Sequence, residues 1–185
     1  MTILLAGFLL IIIASAIILY KSHKKVAVIL ISIPITMVVL LFGWWVYETN
    51  YYFVKSTDLG EEFVGDIELN QSLASYEKSN PAIKFTKGEN VYYPTYLTSP
   101  YLTIGANEND EIEFVSSSFP EHETSRGIQV NDDEKLLIQT YGDNYDKGRE
   151  MGIGEYLIYV DRNAKRTLCF WIESGKVRSI DFGKM

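Results

Sequence analysis

Two long apolar runs, separated by one short polar stretch, occupy the first quarter of the chain. Residues 3–20 and residues 26–46 carry no charged side chain. At about 1.5 Å of helical rise per residue, each run is long enough to cross a hydrocarbon core about 30 Å thick. The pattern therefore predicts two transmembrane helices, and residues 21–25 are too few for anything but a tight hairpin turn between them.

The charges of the turn predict the orientation of this hairpin. Three basic residues lie in the turn, namely Lys21, Lys24 and Lys25. Because short basic loops stay in the cytoplasm, the turn is expected inside and both chain termini outside. The membrane–water interface at the end of the second helix is marked by three aromatic anchors, namely Trp44, Trp45 and Tyr47. Residues 14–16 also resemble a signal-peptidase site, but no basic residue precedes the apolar run, as a signal peptide requires.

A polar linker over residues 49–64 is predicted to lead into a soluble domain over residues 65–185. Two stretches of this domain, about 65–118 and 126–185, share one pattern. Each has a short apolar alternation, an asparagine (Asn70 or Asn131) predicted as a helix N-cap, an amphipathic helix and three strand-like runs. The predicted strands are residues 91–97, 101–106, 111–117, 155–160, 167–172 and 177–182. We therefore expect an α+β fold in which helices cover one face of antiparallel sheet.

The second of these stretches also resembles a known group of domains. The phrase over residues 127–132, followed by 137–142 and a three-stranded meander, is similar to SmpA/OmlA-like and beta-lactamase-inhibitor-like modules. The resemblance covers residues 65–185. It implies small helix-plus-sheet modules, often in tandem, that are exported from bacteria, tethered to membranes and active by binding other proteins. A transmembrane hairpin stands here in place of the lipidated cysteine of the lipoprotein members, so a role in outer-membrane assembly is not implied.

Charge is segregated along the chain and narrows the choice of partners. From Thr49 onward lie 14 of the 17 basic and 23 of the 24 acidic residues, which gives this part a net charge of −9. Such a domain repels phosphate backbones, so nucleic acid is not expected as a partner. The single cysteine, Cys169, lies in an apolar run and is predicted to be a buried small side chain rather than a reactive thiol.

Candidate chemistry is sparse. The run Glu121-His122-Glu123 offers metal-ligating side chains, but adjacent residues rarely converge on one ion, and a solvated loop is favoured. The chain has no nucleophile elbow, phosphate-binding loop or dinucleotide fingerprint, so no catalytic residue and no cofactor is predicted. Four tyrosines cluster in one strand region and are candidates for a partner surface, namely Tyr92, Tyr93, Tyr96 and Tyr101.

Together these patterns predict a multi-pass cell-membrane protein with an extracytoplasmic domain that binds another protein, either inhibiting or assisting an envelope or exported partner. Two alternatives stay open. The domain could hold a small molecule between its two halves, as a membrane-tethered sensor would. Less favoured is a hydrolase of cell-envelope material that uses Glu121, His122 and Glu123.

Overall fold

The computed structural model describes residues 14–50 and 53–185, and these fall into two units that divide after Asn50. Most of the first predicted transmembrane helix, residues 3–20, lies outside the described residues. Its last part, residues 14–19, is helical and ends in a turn in which His23 N–H donates to the Leu19 carbonyl at 2.8 Å. The ammonium group of Lys24, directly after this turn, lies 5.7 Å from the centre of the Tyr20 ring.

A single long helix, α1 (Lys24–Thr49), follows the turn. Its segment Lys24–Tyr47 is the one helix in the described part of the chain that is long and apolar enough to span a membrane. Pro34 lies inside the helix. The large apolar side chains of α1 are mostly exposed, including Leu40 and Trp44. An exposed apolar surface of this size is unfavourable in water and suits a hydrocarbon environment.

The second unit is an α+β domain built on one eight-stranded antiparallel sheet. Its elements, in chain order, are β1 (Phe63–Val64), β2 (Ile67–Glu68), α2 (Leu73–Ser79), β3 (Thr86–Lys87), β4 (Thr95–Thr98), β5 (Leu102–Ala106), β6 (Ile112–Ser117), α3 (Glu134–Tyr141), β7 (Asp146–Glu150), β8 (Gly154–Asp161), β9 (Arg166–Glu173) and β10 (Lys176–Lys184). The strand order in the sheet is β3-β4-β5-β6-β10-β9-β8-β7, and β1 and β2 form a separate hairpin.

The six strands expected from apolar alternation are present as β4, β5, β6, β8, β9 and β10. The edge strands β3 and β7 are additional. The predicted asparagine caps are wrong: helix α2 is capped by Ser72, whose hydroxyl accepts from the Ser75 N–H, and α3 begins after Asp133. Asn70 and Asn131 have φ values of 71° and 79°. Asparagine tolerates this left-handed conformation better than most residues, which explains why it occupies the turn before each helix.

The helices α2 and α3 are each preceded by the same backbone hydrogen bonds. In both cases these bonds join the turn before the helix to the last hairpin of the same half of the domain, where the first half ends with β6 and the second with β10. Asn70 N–H donates to the Ile112 carbonyl and Ile112 N–H to the Gln71 carbonyl. In the second half, Asn131 N–H donates to the Val177 carbonyl and Val177 N–H to the Asp132 carbonyl. A turn with left-handed asparagine is therefore docked on the final strand of each half, and it sets where each helix begins.

The helices cover one face of the sheet and form the core with it. Alternate side chains of β5, β9 and β10 point into this core, including Ile104, Phe170 and Phe182, all fully buried. Helix α3 contributes Leu137 and Tyr141, and the ring of Tyr141 lies 5.3 Å from that of Phe170. The intervening residues of the same strands consequently point to the opposite face, which we call the open face.

The segment before β1, within the predicted linker 49–64, is hydrogen-bonded to the domain. Thr57 N–H donates to the Val160 carbonyl at 2.8 Å, and Leu59, almost fully buried, donates its N–H to Oδ2 of Asp161 at 2.8 Å. The other oxygen of Asp161 accepts from the backbone N–H groups of Asn163 and Ala164. Burial alone would raise the pKa of Asp161, but these hydrogen bonds and nearby Arg166 lower it below its ordinary value.

We expect Asp161→Ala to destabilise the domain by about 2–4 kcal/mol, because three backbone donors lose a buried acceptor. Chemical denaturation of the full chain in detergent measures this loss, with the exposed Glu108→Ala as the control. Because its folded-state pKa is lowered, Asp161 stabilises the protein above pH 3.8 and loses that effect as the pH falls further. The difference between wild type and Asp161→Asn should therefore shrink in acid, and a constant difference would contradict this account.

Candidate functional site

The open face carries two groups of aromatic side chains, each packed over a glycine. In the first group, strand register aligns Tyr96 of β4, Gly105 of β5 and Phe114 of β6. The ring of Tyr93 lies over Gly105, with its centre 5.6 Å from that of Phe114 and 6.4 Å from that of Tyr96. A Cβ atom at position 105 would lie 2.6 Å from the Tyr93 ring. Only glycine leaves room for this stack of aromatic rings.

The second group lies on the other half of the sheet. Register aligns Gly148 of β7, Tyr156 of β8 and Trp171 of β9. The rings of Tyr156 and Trp171 meet edge to face, 5.4 Å apart. A Cβ atom at position 148 would clash with the Tyr156 ring, at 2.2 Å. Each half of the open face therefore places a tyrosine over a glycine in a neighbouring strand.

Between the two aromatic groups lies Asp181, in the central strand β10. Its Cα pairs with that of Ser116 on one side and that of Cys169 on the other. The indole N–H of Trp171 donates to Oδ2 of Asp181 at 2.7 Å. Oδ1 is buried and has no hydrogen-bond partner among the described residues. Burial raises the pKa of Asp181, and the neighbouring Ser116 hydroxyl and the Trp171 indole offset only part of that rise.

A groove with a volume of about 430 Å³ runs along the open face above this carboxyl group. The residues that line it come from both halves of the sheet and include Tyr96, Tyr101, Phe114, Trp171, Arg178 and Asp181. At the rim, Arg178 donates to the Ile153 carbonyl at 3.3 Å and lies 3.9 Å from the Glu173 carboxylate. The groove therefore combines aromatic walls, the partly exposed Asp181 with its desolvated carboxyl group, and the guanidinium group of Arg178 at its edge.

The four tyrosines singled out from the sequence occupy different environments. Tyr93 and Tyr96 are half-buried in the first aromatic group, and Tyr96 lines the groove. Tyr101 is 55% exposed, lines the groove and packs against Phe119, with ring centres 5.2 Å apart. Tyr92 is 85% exposed and does not line the groove.

Sequence reasoning missed Phe114, Trp171 and Asp181 as members of this site. One signal was available: in Ile180-Asp181-Phe182 a charged residue interrupts an apolar strand and must point away from its neighbours. Cys169, predicted to be buried, has intermediate exposure and lies beside Asp181. Burial raises the pKa of its thiol, which keeps the sulfur protonated at neutral pH.

The predicted loop around His122 is held in a local contact. Nδ1 of His122 lies 2.9 Å from the hydroxyl of Ser117, and the ring packs against Gly65 and Phe119. Burial lowers the pKa of His122 despite the opposing effects of Asp66 and Glu121. Ser117 is fully buried, so no substrate can approach its hydroxyl. The serine–histidine pair therefore orders the loop after β6 and is not placed for nucleophilic attack.

Comparison with protein-family models, with curated proteins and with solved structures found no match to this chain. The resemblance of residues 65–185 to SmpA/OmlA-like and beta-lactamase-inhibitor-like modules stays a prediction.

Replacing Asp181 by asparagine should stabilise the protein at neutral pH, by about 1 kcal/mol or more, because the desolvated carboxylate is removed while an acceptor for Trp171 remains. A raised folded-state pKa means that ionisation destabilises the fold as the pH rises above 3.8. The gain should therefore be small near pH 3.5 and larger at pH 7. Denaturation of both full-length proteins at the two pH values measures it, and a loss of stability at pH 7 would contradict this assignment.

Proposed function

We propose that this protein is a membrane-anchored, extracytoplasmic protein-binding module whose partner binds the open face of the sheet. The observation that carries the proposal is the open face itself. Half-buried and exposed aromatic side chains lie there beside a desolvated carboxyl group, and the helices α2 and α3 pack on the other face. Large, rigid aromatic side chains are favoured in protein interfaces because they bury much area at a small entropy cost.

Exposed apolar side chains at two edges of this face extend the proposed interface. Val91 and Tyr92, before β4, are 97% and 85% exposed, and Met151, between β7 and β8, is 96% exposed. Ile153 follows Met151 and lines the groove. Apolar residues at both ends of one surface favour a partner large enough to span it, and therefore a protein rather than a small molecule.

The proposed anchor is a two-helix hairpin with both termini outside the cell membrane. Ala27 and Pro34 are buried and lie seven residues apart on one face of α1, as a second helix packed beside α1 requires. Lys21 is exposed in the turn, and Lys24 and Lys25 are exposed at the start of α1; all three favour a cytoplasmic location of the turn. At the other end of α1, Trp44, Trp45 and Tyr47 are exposed at the level where interfacial aromatic residues are expected.

The soluble unit is proposed to consist of two copies of one module. The matching hydrogen bonds at Asn70 and Asn131, and a helix followed by four strands in each half, support a shared ancestry. In the sheet order the second half mirrors the first around the β6–β10 pair. Tandem helix-plus-sheet modules of this kind are what the resemblance to protein-binding SmpA/OmlA-like and beta-lactamase-inhibitor-like domains implies.

A membrane-tethered ligand sensor is the second candidate, favoured by the groove of about 430 Å³, whose lining residues come from both halves. The volume is within the range of small-molecule sites, although the groove is open along the sheet and does not enclose a ligand. The envelope hydrolase receives less support, because the Ser117 hydroxyl is buried and His122 is held against it.

The topology is tested by protease treatment of intact, wall-stripped cells that express the chain with a C-terminal epitope tag. We expect loss of the tag while a cytoplasmic control protein survives, because the lysine-rich turn stays in the cytoplasm and the C-terminal domain is then outside. Replacing Lys21, Lys24 and Lys25 together by glutamine should reduce the fraction of tag that is accessible. Full protection of the tag until the membrane is broken would place the domain in the cytoplasm and reject this topology.

The binding surface is tested by photocrosslinking in intact cells. A photoreactive amino acid in place of Tyr92 or Met151, at the two edges of the open face, should give the same discrete protein adduct. The matched control is Leu136, which is 45% exposed on α3 and lies on the helical side of the sheet. Adducts of equal yield at Leu136, or none from either edge, would reject the open face as the binding surface.

A further inference from the structure

The carboxyl group of Asp181, which lines the groove, has a hydrogen-bond partner for only one of its two oxygens among the described residues. Oδ2 accepts from Trp171, whereas Oδ1 is buried and has no partner among the described residues. Nearly all buried polar atoms of folded proteins have a hydrogen-bond partner, and a carboxylate oxygen is among the costliest to leave without one. The carboxyl group is therefore in an unfavourable position in the domain alone. Asp181 as a residue is partly exposed and lines the groove, so a donor that enters the groove meets it there.

The cation that the domain itself places in the groove, Arg178, contacts groups other than Asp181. Arg178 donates to the Ile153 carbonyl, and its closest carboxylate is that of Glu173, with both side chains more than half exposed. Ser116, paired with Asp181 across the strands, offers a neutral hydroxyl that only partly offsets the effect of burial on the pKa. Among the described residues no cation contributes to the pKa of Asp181, so a cation that pairs with its carboxyl group is expected to come from the partner.

The walls of the groove indicate which cation fits. Tyr96, Phe114 and Trp171 line it, and aromatic faces attract cations, most strongly when water is excluded. A guanidinium group is planar, stacks on aromatic rings and presents several donors in a fixed arrangement. It can pair with the carboxyl group of Asp181, which lines the groove, while contacting the ring of Trp171. The net charge of −9 from Thr49 onward also attracts a basic partner surface over longer distances.

We propose that the groove is a recognition pocket for an arginine side chain of the partner protein, with its guanidinium bound to Asp181 between the aromatic groups of the two halves. The inference rests on the proposed function and deepens it, because it names the group that the open face recognises. The partner is accordingly a protein with an exposed arginine on a convex or protruding surface, since only a projecting side chain reaches the base of a groove.

The test uses the tryptophan that contacts the pocket. Trp171 donates to Asp181, and the other two tryptophans are Trp44 and Trp45. In the full chain carrying Trp44→Phe and Trp45→Phe, kept in detergent micelles, Trp171 is the sole source of tryptophan fluorescence. The probe is the blocked tripeptide Gly-Arg-Gly, and the matched control peptide carries citrulline, which has the shape of arginine without its charge.

We expect a saturable change in Trp171 fluorescence with the arginine peptide, with a dissociation constant on the order of 1 mM for so small a ligand. Asp181→Asn should weaken binding at least tenfold, whereas Asp143→Asn, which removes one charge from an exposed loop after α3, should leave it within twofold. The citrulline peptide should not saturate. The comparison of the two peptides needs no substitution at Asp181, so it holds even if Asp181→Asn is poorly folded.

Equal binding of the arginine and citrulline peptides, unchanged binding in Asp181→Asn, or no saturation by the arginine peptide up to about 50 mM would each overturn the proposal. Crosslinks from Tyr92 and Met151 that persist in such a case would reject the arginine pocket alone and leave the open face as the binding surface. Loss of those crosslinks as well would reject both the arginine pocket and the open face as the binding surface.

Discussion

The α+β domain depends on the pairing of β6 with β10. Four residue pairs between these strands, from Ser117–Ile180 to Phe114–Gly183, join two meanders that would otherwise be separate four-stranded sheets. The pairing sets which residues share a face: Ser116 lies opposite Asp181, and the ring of Phe114 packs beside Gly183. Because side chains alternate with a period of two, a slip of one residue would turn Asp181 into the core and Ile180 out of it.

The same pairing sets which side chains face the helices and which point to the open face of the sheet. On the covered face, Leu137 and Tyr141 of α3 pack on Phe170 and its neighbours, and apolar burial there stabilises the domain. On the open face, the aromatic groups and Asp181 sit above a sheet that is already stable. The domain can therefore tolerate a poorly solvated carboxyl group, whose unfavourable effect is small beside that of the core.

Apolar alternation predicted the six inner strands and the two helices, because each of them buries one face. It did not predict β7, whose sequence Asp146-Lys147-Gly148-Arg149-Glu150 has no apolar side chain and whose pairing with β8 is a tertiary effect. Charged edge strands of this kind also discourage pairing with other chains. The helix caps were misplaced because asparagine serves both as a cap and as a left-handed turn residue, and only the docked backbone distinguishes the two.

The site was harder to predict than the fold, for a physical reason. Alternation indicates that Asp181 points away from Ile180 and Phe182, but its burial depends on β6 and β9 lying on either side of β10. That order involves contacts between residues far apart in the chain, which local patterns do not contain. The tyrosine cluster was visible because its members are adjacent in sequence, whereas Trp171 and Asp181 come together only through a hairpin.

The packing of tyrosine rings over Gly105 and Gly148 has a consequence for natural variation among relatives of this chain. A side chain at either glycine would displace an aromatic ring and disrupt the packing of that half of the open face. Gly105 and Tyr93, and likewise Gly148 and Tyr156, are therefore expected to change together. Two such pairs, one in each half, form a sparse pattern that can survive when overall identity has fallen too low to detect. Distant members of the same lineage would then be recognised by coupled gain and loss at these positions, even where the rest of the strands has drifted.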